Sequence, residues 1–369
     1  MSARMSWRRQ AYSQEKYVVA VVETVYLVLL LLSSLRFGWS RSAAAFLEAR
    51  IHGPWFSVPV FIAVLSLSYY LLTFPLNLYS SFILEHKYRL SNQSVFSWLR
   101  DQAKAGLVAY IIGVFIAFGF YGILATCKDA WWLAAACFWV LCNVLLAKVA
   151  PLVIIPLFFK YSPLSDDGLR ERIKALATRM GVEILDCYEI DFSKKTLKAN
   201  AAFVGWGRSR RVLLADTLKG KYSGDEIEVI LAHEFAHFRL GHLKKLVVLN
   251  AVSTAIVFYL VYLSSAPVLA FFGLGALSEV AALPLVILYF VLFDAVSRPF
   301  VNWVSRSFER SADALALRST GNREAFISMM EKLGTQNLAD RSVHPLIKAF
   351  FFTHPPVDER IAFARSFPA

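Results

Sequence analysis

Residues 223–263 read SGDEIEVILAHEFAHFRLGHLKKLVVLNAVSTAIVFYLVYL. The first half is charged and amphipathic; the second, from residue 246 on, holds no charged side chain. Ser223 followed three residues later by Glu226 is the pattern in which a serine caps a helix start and the glutamate reaches back to the cap, so a helix is predicted from here. Within it His233 and His237 stand four apart, one turn along one face, where both imidazoles can reach one small cation; Glu234 projects near that cation without needing to bind it. Only Lys244 and Lys245 separate this pattern from the apolar run. The expectation is a helix running straight on toward a membrane span, with the histidine pair held at the membrane surface.

The whole chain has the same character. Of 369 residues 57% are hydrophobic and 18% charged, and the mean hydropathy is +0.51. Soluble domains carry about a quarter charged residues, so a soluble globule is excluded, as is a disordered or fibrous chain. The net charge of +12 raises the question of nucleic acid, but no basic stripe interleaved with aromatics is present, and the basic residues flank apolar runs, as in proteins oriented against anionic lipid. No nucleic-acid partner is expected. Cys127, Cys137, Cys142 and Cys187 form no CxxC pair and read as reduced thiols used as small apolar side chains.

A bilayer core about 30 Å thick needs about 20 helical residues. Six runs qualify: 17–35, 54–76, 105–127, 131–159, 246–263 and 281–300. The fourth is overlong and contains Pro151 and Pro156, which predicts a kink or break near its end. The first, preceded by Arg4, Arg8 and Arg9 and followed by Ala43, Ala44 and Ala45, imitates a secretory signal. It is too long for one, and Arg36 and Arg41 fall before the supposed cleavage site, so it is expected to remain a transmembrane helix. The fold class is therefore mainly α: a polytopic membrane bundle of about six or seven transmembrane helices with a small α+β zinc-metalloprotease module.

Orientation follows from Lys and Arg in short loops. The hairpin 264–280 has none and is expected outside; 77–104 holds Lys87, Arg89, Arg100 and Lys104 and is expected in the cytoplasm with both termini. The loop with Arg36, Arg41 and Arg50 runs against this count. The chain then divides into 1–159, a bundle of four spans; 160–245, a cytoplasmic catalytic insert; 246–300, a hairpin of two spans; and 301–369, the rest of the catalytic module. In the insert, 169–180 has helical apolar spacing, 200–205 and 211–215 read as short strands, and 207–209 as a turn.

Zinc held by three protein ligands with a fourth position open lowers the pKa of bound water to about 7, and a nearby glutamate can take the proton. A third ligand is available in SRSFERSADALA (305–316), where Glu309 and Asp313 face the same way on a helix; one can bind metal while the other orients a histidine. Ordinary ion pairing with Arg306 and Arg310 on a solvated face is the competing explanation of these carboxylates. His242 reads as a helix-end or interface histidine, and His52, His86 and His344 as isolated surface residues. Asp294 has Arg298 one turn on and reads as a local ion pair; Glu23, in the first run, is ambiguous.

With these residues in hand, the chain resembles the type I CaaX prenyl endopeptidases, integral-membrane zinc proteases of the gluzincin kind. LAHEFAHFRLGH (231–242), SRSFERSADALA (305–316), NAAFVG (200–205), RVLLADTL (211–218) and THPPVDERI (353–361) each resemble a family block, in the family's order, and APLVIIPLFFKYSPL (150–164) resembles the proline-rich entry to its soluble insert. The match is looser in the N-terminal part, chiefly around 82–94. The resemblance implies one zinc ion held by His233, His237 and Glu309, with Glu234 as general base. It places Asp313 behind a ligand histidine, His354 near the metal as a hydrogen-bond donor to the developing oxyanion, and Arg360 in support through a carboxylate. Asn200, Ala201, Ala202 and Phe203 correspond to a strand beside the active-site helix along which an extended substrate can align; Ala202 stands where the family usually has tyrosine. A large intramembrane chamber is also implied.

The expected activity is hydrolysis of peptide bonds in membrane-associated or prenylated substrates, with peptide or protein, lipidated or not, and membrane lipids as partners. A quality-control protease indifferent to prenyl groups is the alternative within proteolysis, and a membrane scaffold or transporter with structural zinc the alternative outside it. The last residues, RSFPA, lack a lysine-type retrieval signal, and the expected location is a bacterial cell membrane rather than the endoplasmic reticulum.

Overall fold

The computed structural model describes residues 3–205 and 210–368. Apolar length dictates most of it. In chain order come α1 (Ala3–Arg36), α2 (Trp39–Glu48), α3 (Pro54–Leu78), a π-helical turn Tyr79–Ile83, α4 (Leu84–Lys87), α5 (Val95–Thr126) and α6 (Trp131–Val149). A second π-helical turn, Ala150–Ile154, leads into α7 (Ile155–Phe158). The expected disturbance in the fourth run is this turn: Pro151 has no N–H to give the helix ladder, and the hydrogen bonding shifts by one residue. Among the described residues six helices are long and apolar enough to cross a membrane, and they coincide with the six expected runs. Phe61, Ala117, Phe120, Ala135, Phe258 and Leu285 lie in their shared core. At Gly119 a Cβ would fall 2.1 Å from the Phe138 ring, so its absence lets α5 approach α6.

The insert forms a four-stranded sheet. Its strands are β1 (Tyr161–Pro163), β2 (Asp186–Ile190), β3 (Ala201–Val204) and β4 (Arg211–Ala215), in the order β1-β2-β4-β3. β2 and β4 are parallel and the outer pairs antiparallel. The expected strands appear as β3 and β4; β1 and β2 were not expected, since one is three residues ending in proline and the other mixes charge with apolar residues. The expected turn at 207–209 lies outside the described residues. Before the sheet's second strand comes α8 (Asp167–Arg179), capped by Asp166, whose carboxylate accepts from Leu169 N at 2.9 Å.

The helix begun at Ser223 is α9 (Gly224–Arg239), with both halves of the capping box formed. It does not run on into the membrane. Gly241 adopts a left-handed conformation (φ 67°), closing α9 and redirecting the chain into α10 (His242–Phe272). Such a conformation costs any residue with a Cβ about 1–2 kcal/mol, and glycine takes it freely. The unbroken helix is instead α11 (Leu283–Thr320), which contains the sixth span and continues through Glu309 and Asp313. Three more helices complete the chain: α12 (Arg323–Gln336), α13 (Pro345–Phe351) and α14 (Val357–Ser366). Val229, Leu231 and Phe235 of α9 share a core with Ala312 and Ala316 of α11 and Phe326 and Met329 of α12. The two alanines let α9 and α11 pack closely, and this pair positions the site.

Candidate metal centre

His233 and His237 project from α9 toward Glu309 on α11. Among the described residues these three form the cluster in which three possible metal-binding groups have donor atoms within 4.8 Å of one another. The two Nε2 atoms are 3.1 Å apart. Each lies 3.2 Å from one Glu309 oxygen, His233 from Oε2 and His237 from Oε1. Donors at the corners of a zinc tetrahedron with bonds of about 2.0–2.1 Å are roughly 3.3 Å apart, so the spacing fits a single small cation. Glu309 Oε2 is buried without a hydrogen-bond partner, an expensive arrangement for a carboxylate oxygen unless a cation meets it.

The other faces of the imidazoles are held as well. His233 Nδ1 is 2.8 Å from Asp313 Oδ1, and Arg360 donates to both oxygens of Asp313, Nη2 to Oδ1 at 2.5 Å and Nε to Oδ2 at 2.8 Å. Asp313 is only 1% exposed, so the solvated ion-pairing face considered for these carboxylates is absent. His237 Nδ1 is 3.0 Å from Nδ1 of His242. Burial disfavours a charge on His233, but Asp313 and Glu309 outweigh it and raise its pKa to about 9. Glu234 is half-buried beside the pair, and burial pushes its carboxyl upward. Burial likewise opposes the Arg360 charge, but Asp313 prevails and raises its pKa.

His354 reaches the same carboxylate from the segment after α13, its Nε2 3.3 Å from Glu309 Oε1 and its Nδ1 2.9 Å from Thr353 Oγ1. Arg306 sets that segment. Expected at most to pair with acids in solvent, it is buried and donates from Nη1 to the carbonyls of Lys348 (2.9 Å) and Phe352 (2.6 Å), while Asn302 donates to Ala349 O at 2.9 Å. Ala349 and Phe352 stand at the end of α13, where helix carbonyls lack ladder partners, whereas Lys348 O also accepts from Phe352 N at 3.3 Å. Nothing in the spacing of the sequence signalled either contact.

β3 is the outer strand of the sheet and lies against α9, with the Phe203 ring 5.2 Å from Phe235 and 5.7 Å from Phe238. Ala201 and Phe203 pack on the core, which turns Ala202 to the opposite face of the strand. Exposed Asn200 immediately precedes the strand; its carbonyl accepts from Ala215 N at 3.0 Å, and Ala199 before it is fixed through both backbone groups by the Asn337 side chain. Other histidines and acids stay local. His86 has backbone carbonyls at both ring nitrogens, Asp294 pairs with Arg298, and Glu23 accepts from Ser80 Oγ at 3.0 Å.

A bundle of membrane helices with two histidines and a glutamate converging at its surface defines a class, the multi-pass membrane metalloendopeptidases. Residues 163–367 match the model of peptidase family M48, and residues 3–160 match the N-terminal region of CAAX prenyl proteases, described as having five membrane helices. The chain belongs to peptidase family M48. Over 321 residues it is 30% identical to CAAX prenyl protease 1 of Saccharomyces cerevisiae, covering 82% of this chain and 70% of that one. It is 29% identical over 331 residues to an uncharacterized metalloprotease of Bacillus subtilis, YhfN, covering 89% and 78%. The crystal structure of S. mikatae Ste24p superposes with a TM-score of 0.87 at 24% identity, over 99% of this chain and 89% of that one; that likeness is one of fold.

Proposed function

We propose that the protein is a zinc-dependent endopeptidase that cuts membrane-associated peptides, prenylated CaaX-type chains among them, at the cytoplasmic face of a bacterial cell membrane. The observation that carries the proposal is the convergence of His233 Nε2 and His237 Nε2, 3.1 Å apart, on Glu309, each 3.2 Å from one of its oxygens, with Glu234 on the same helix as the histidines. Those three side chains would hold the zinc, which supplies a Lewis acid for the peptide carbonyl and for a water molecule. Glu234 takes a proton from the attacking water and passes it to the departing amide nitrogen. His354 donates a hydrogen bond to the carbonyl oxygen as negative charge develops on it. Asp313, held by Arg360, accepts the Nδ1 proton of His233 and fixes that ring's tautomer.

The substrate adds in extended form along β3, between Asn200 and Val204, using main-chain hydrogen bonds that align its scissile carbonyl. The small Ala202 leaves the solvent face of that strand open to bulky side chains. Bond cleavage is direct, with no covalent acyl-enzyme. The curated relative from S. cerevisiae is named a CAAX prenyl protease, which favours lipidated substrates over the quality-control alternative. The test uses purified full-length protein with zinc, offered a farnesylated CaaX peptide and its unlipidated twin. Cleavage of both at equal rates overturns the prenyl preference. Glu234→Gln is expected to retain zinc and lose at least about 100-fold in rate; an active, zinc-loaded Glu234→Gln protein overturns the base assignment.

A further inference from the structure

We infer that His242 is a positioning residue for the metal centre: its Nδ1 accepts the Nδ1 proton of His237 and so keeps the Nε2 lone pair of His237 directed at the metal. The inference rests on the ligand assignment above. It follows from the direction of a chain of hydrogen bonds. Ser311 Oγ lies 2.8 Å from the carbonyl of Phe308, which can only accept, and 3.2 Å from His242 Nε2. The shorter contact takes the single hydroxyl hydrogen, which assigns His242 Nε2 as the donor across the longer one. A neutral His242 protonated at Nε2 has a bare Nδ1, and this atom is 3.0 Å from His237 Nδ1. His237 must then donate, which leaves its own Nε2 unprotonated and facing Glu309.

The surroundings hold His242 for this task. It is 2% exposed and stacks on Phe308 with ring centroids 4.5 Å apart and planes 8° apart. The break at Gly241 makes the contact possible. On a continuous helix residues five apart point about 140° away from one another, whereas the left-handed Gly241 swings the first residue of α10 back against α9. The two ligand histidines are therefore oriented by different chemistry, His233 by a carboxylate backed by Arg360 and His237 by a neutral imidazole backed by a hydroxyl. His242 also joins the start of a membrane helix to the metal centre.

Full-length protein in detergent tests this by zinc competition against a chromophoric chelator, with the visible spectrum of cobalt-loaded protein as a second readout. His242→Phe keeps the ring stacked on Phe308 and removes the acceptor, and zinc affinity is expected to fall about 10- to 100-fold. His242→Asn can place an amide oxygen where Nδ1 stood and is expected within a few-fold of the parent. Ser311→Ala leaves His242 in place but unfixes its tautomer, and a few-fold loss with an altered cobalt spectrum is expected. Parent-like affinity in both His242→Phe and Ser311→Ala overturns the inference, as does a loss in His242→Asn with none in His242→Phe, which is the signature of packing alone. His237→Ala serves as the control: if it binds zinc as the parent does, the ligand assignment itself has failed.

Discussion

Asp313 and Glu309 are carboxylates one helical turn apart on α11, and their neighbours give them different tasks. Glu309 meets the two Nε2 atoms, whereas Asp313 meets His233 Nδ1 and the Arg360 fork. A carboxylate buried this deeply depends on its partner, so Arg360→Met is expected to destabilise the protein by about 3–5 kcal/mol, because it strands the Asp313 charge. Arg360→Lys, which keeps the charge but not the fork, should lose less. Thermal unfolding of the metal-free protein in detergent checks both; an unchanged midpoint in Arg360→Met would mean that the pair is not holding Asp313. The sequence made His233, Glu234 and His237 legible because they lie on one short stretch of helix. It left open which acid faces the metal, since spacing alone puts both on one face and only the packing of α9 against α11 separates them. His242 and Arg306 were illegible for a related reason: one acts through a helix break and the other through carbonyls some forty residues away.

At the scale of elements, α9 is set by its two ends. At its start Glu226 accepts from Ser223 N (2.7 Å), Lys332 Nζ (2.7 Å) and Ser328 Oγ (2.6 Å), which pins the helix to α12. Burial pushes the Glu226 carboxyl up, but these donors outweigh it and hold its pKa below the ordinary 4.5. The charged form thus contributes stability above the unfolded-state value, and the contribution is lost as pH falls through the lower, folded-state one. Glu226→Gln is expected to cost about 1.5–3 kcal/mol at neutral pH, with the gap to the parent narrowing as the pH drops below about 4.5. A gap that stays constant down to pH 3 would contradict the linkage. At the other end a Cβ on Gly241 would meet no atom within 4 Å, so Gly241→Ala isolates the backbone term and is expected to cost about 1–2 kcal/mol in an unfolding titration. The capping box was readable because its chemistry is local. The end of α9 is less legible, because a lone glycine inside a helical pattern stops the helix only if it adopts a left-handed conformation, as Gly241 does.

For the whole molecule, two of the three arginines that run against the charge count, Arg41 and Arg50, have structural employment. Arg41 donates from Nη1 to the carbonyl of Gly273 at 2.8 Å, at the far end of α10, and Arg50 donates to Phe46 O at 3.1 Å with its guanidinium over the Phe46 ring. Cations at helix C-termini are favourable in themselves, so local carbonyls give these residues a place independent of the loop's charge count. The contact also places the loop between α1 and α3 on the same face as the hairpin after α10, opposite the metal centre. If the metal centre is cytoplasmic, both must be outside. Introduced singly into a chain whose four cysteines are replaced by alanine, Ser278→Cys is expected to react with a membrane-impermeant maleimide in intact cells, whereas Lys221→Cys should react only after permeabilisation. The reverse pattern would turn the molecule over, and Arg36→Cys reacting on the side opposite to Ser278→Cys would break the shared face that the Arg41 contact requires.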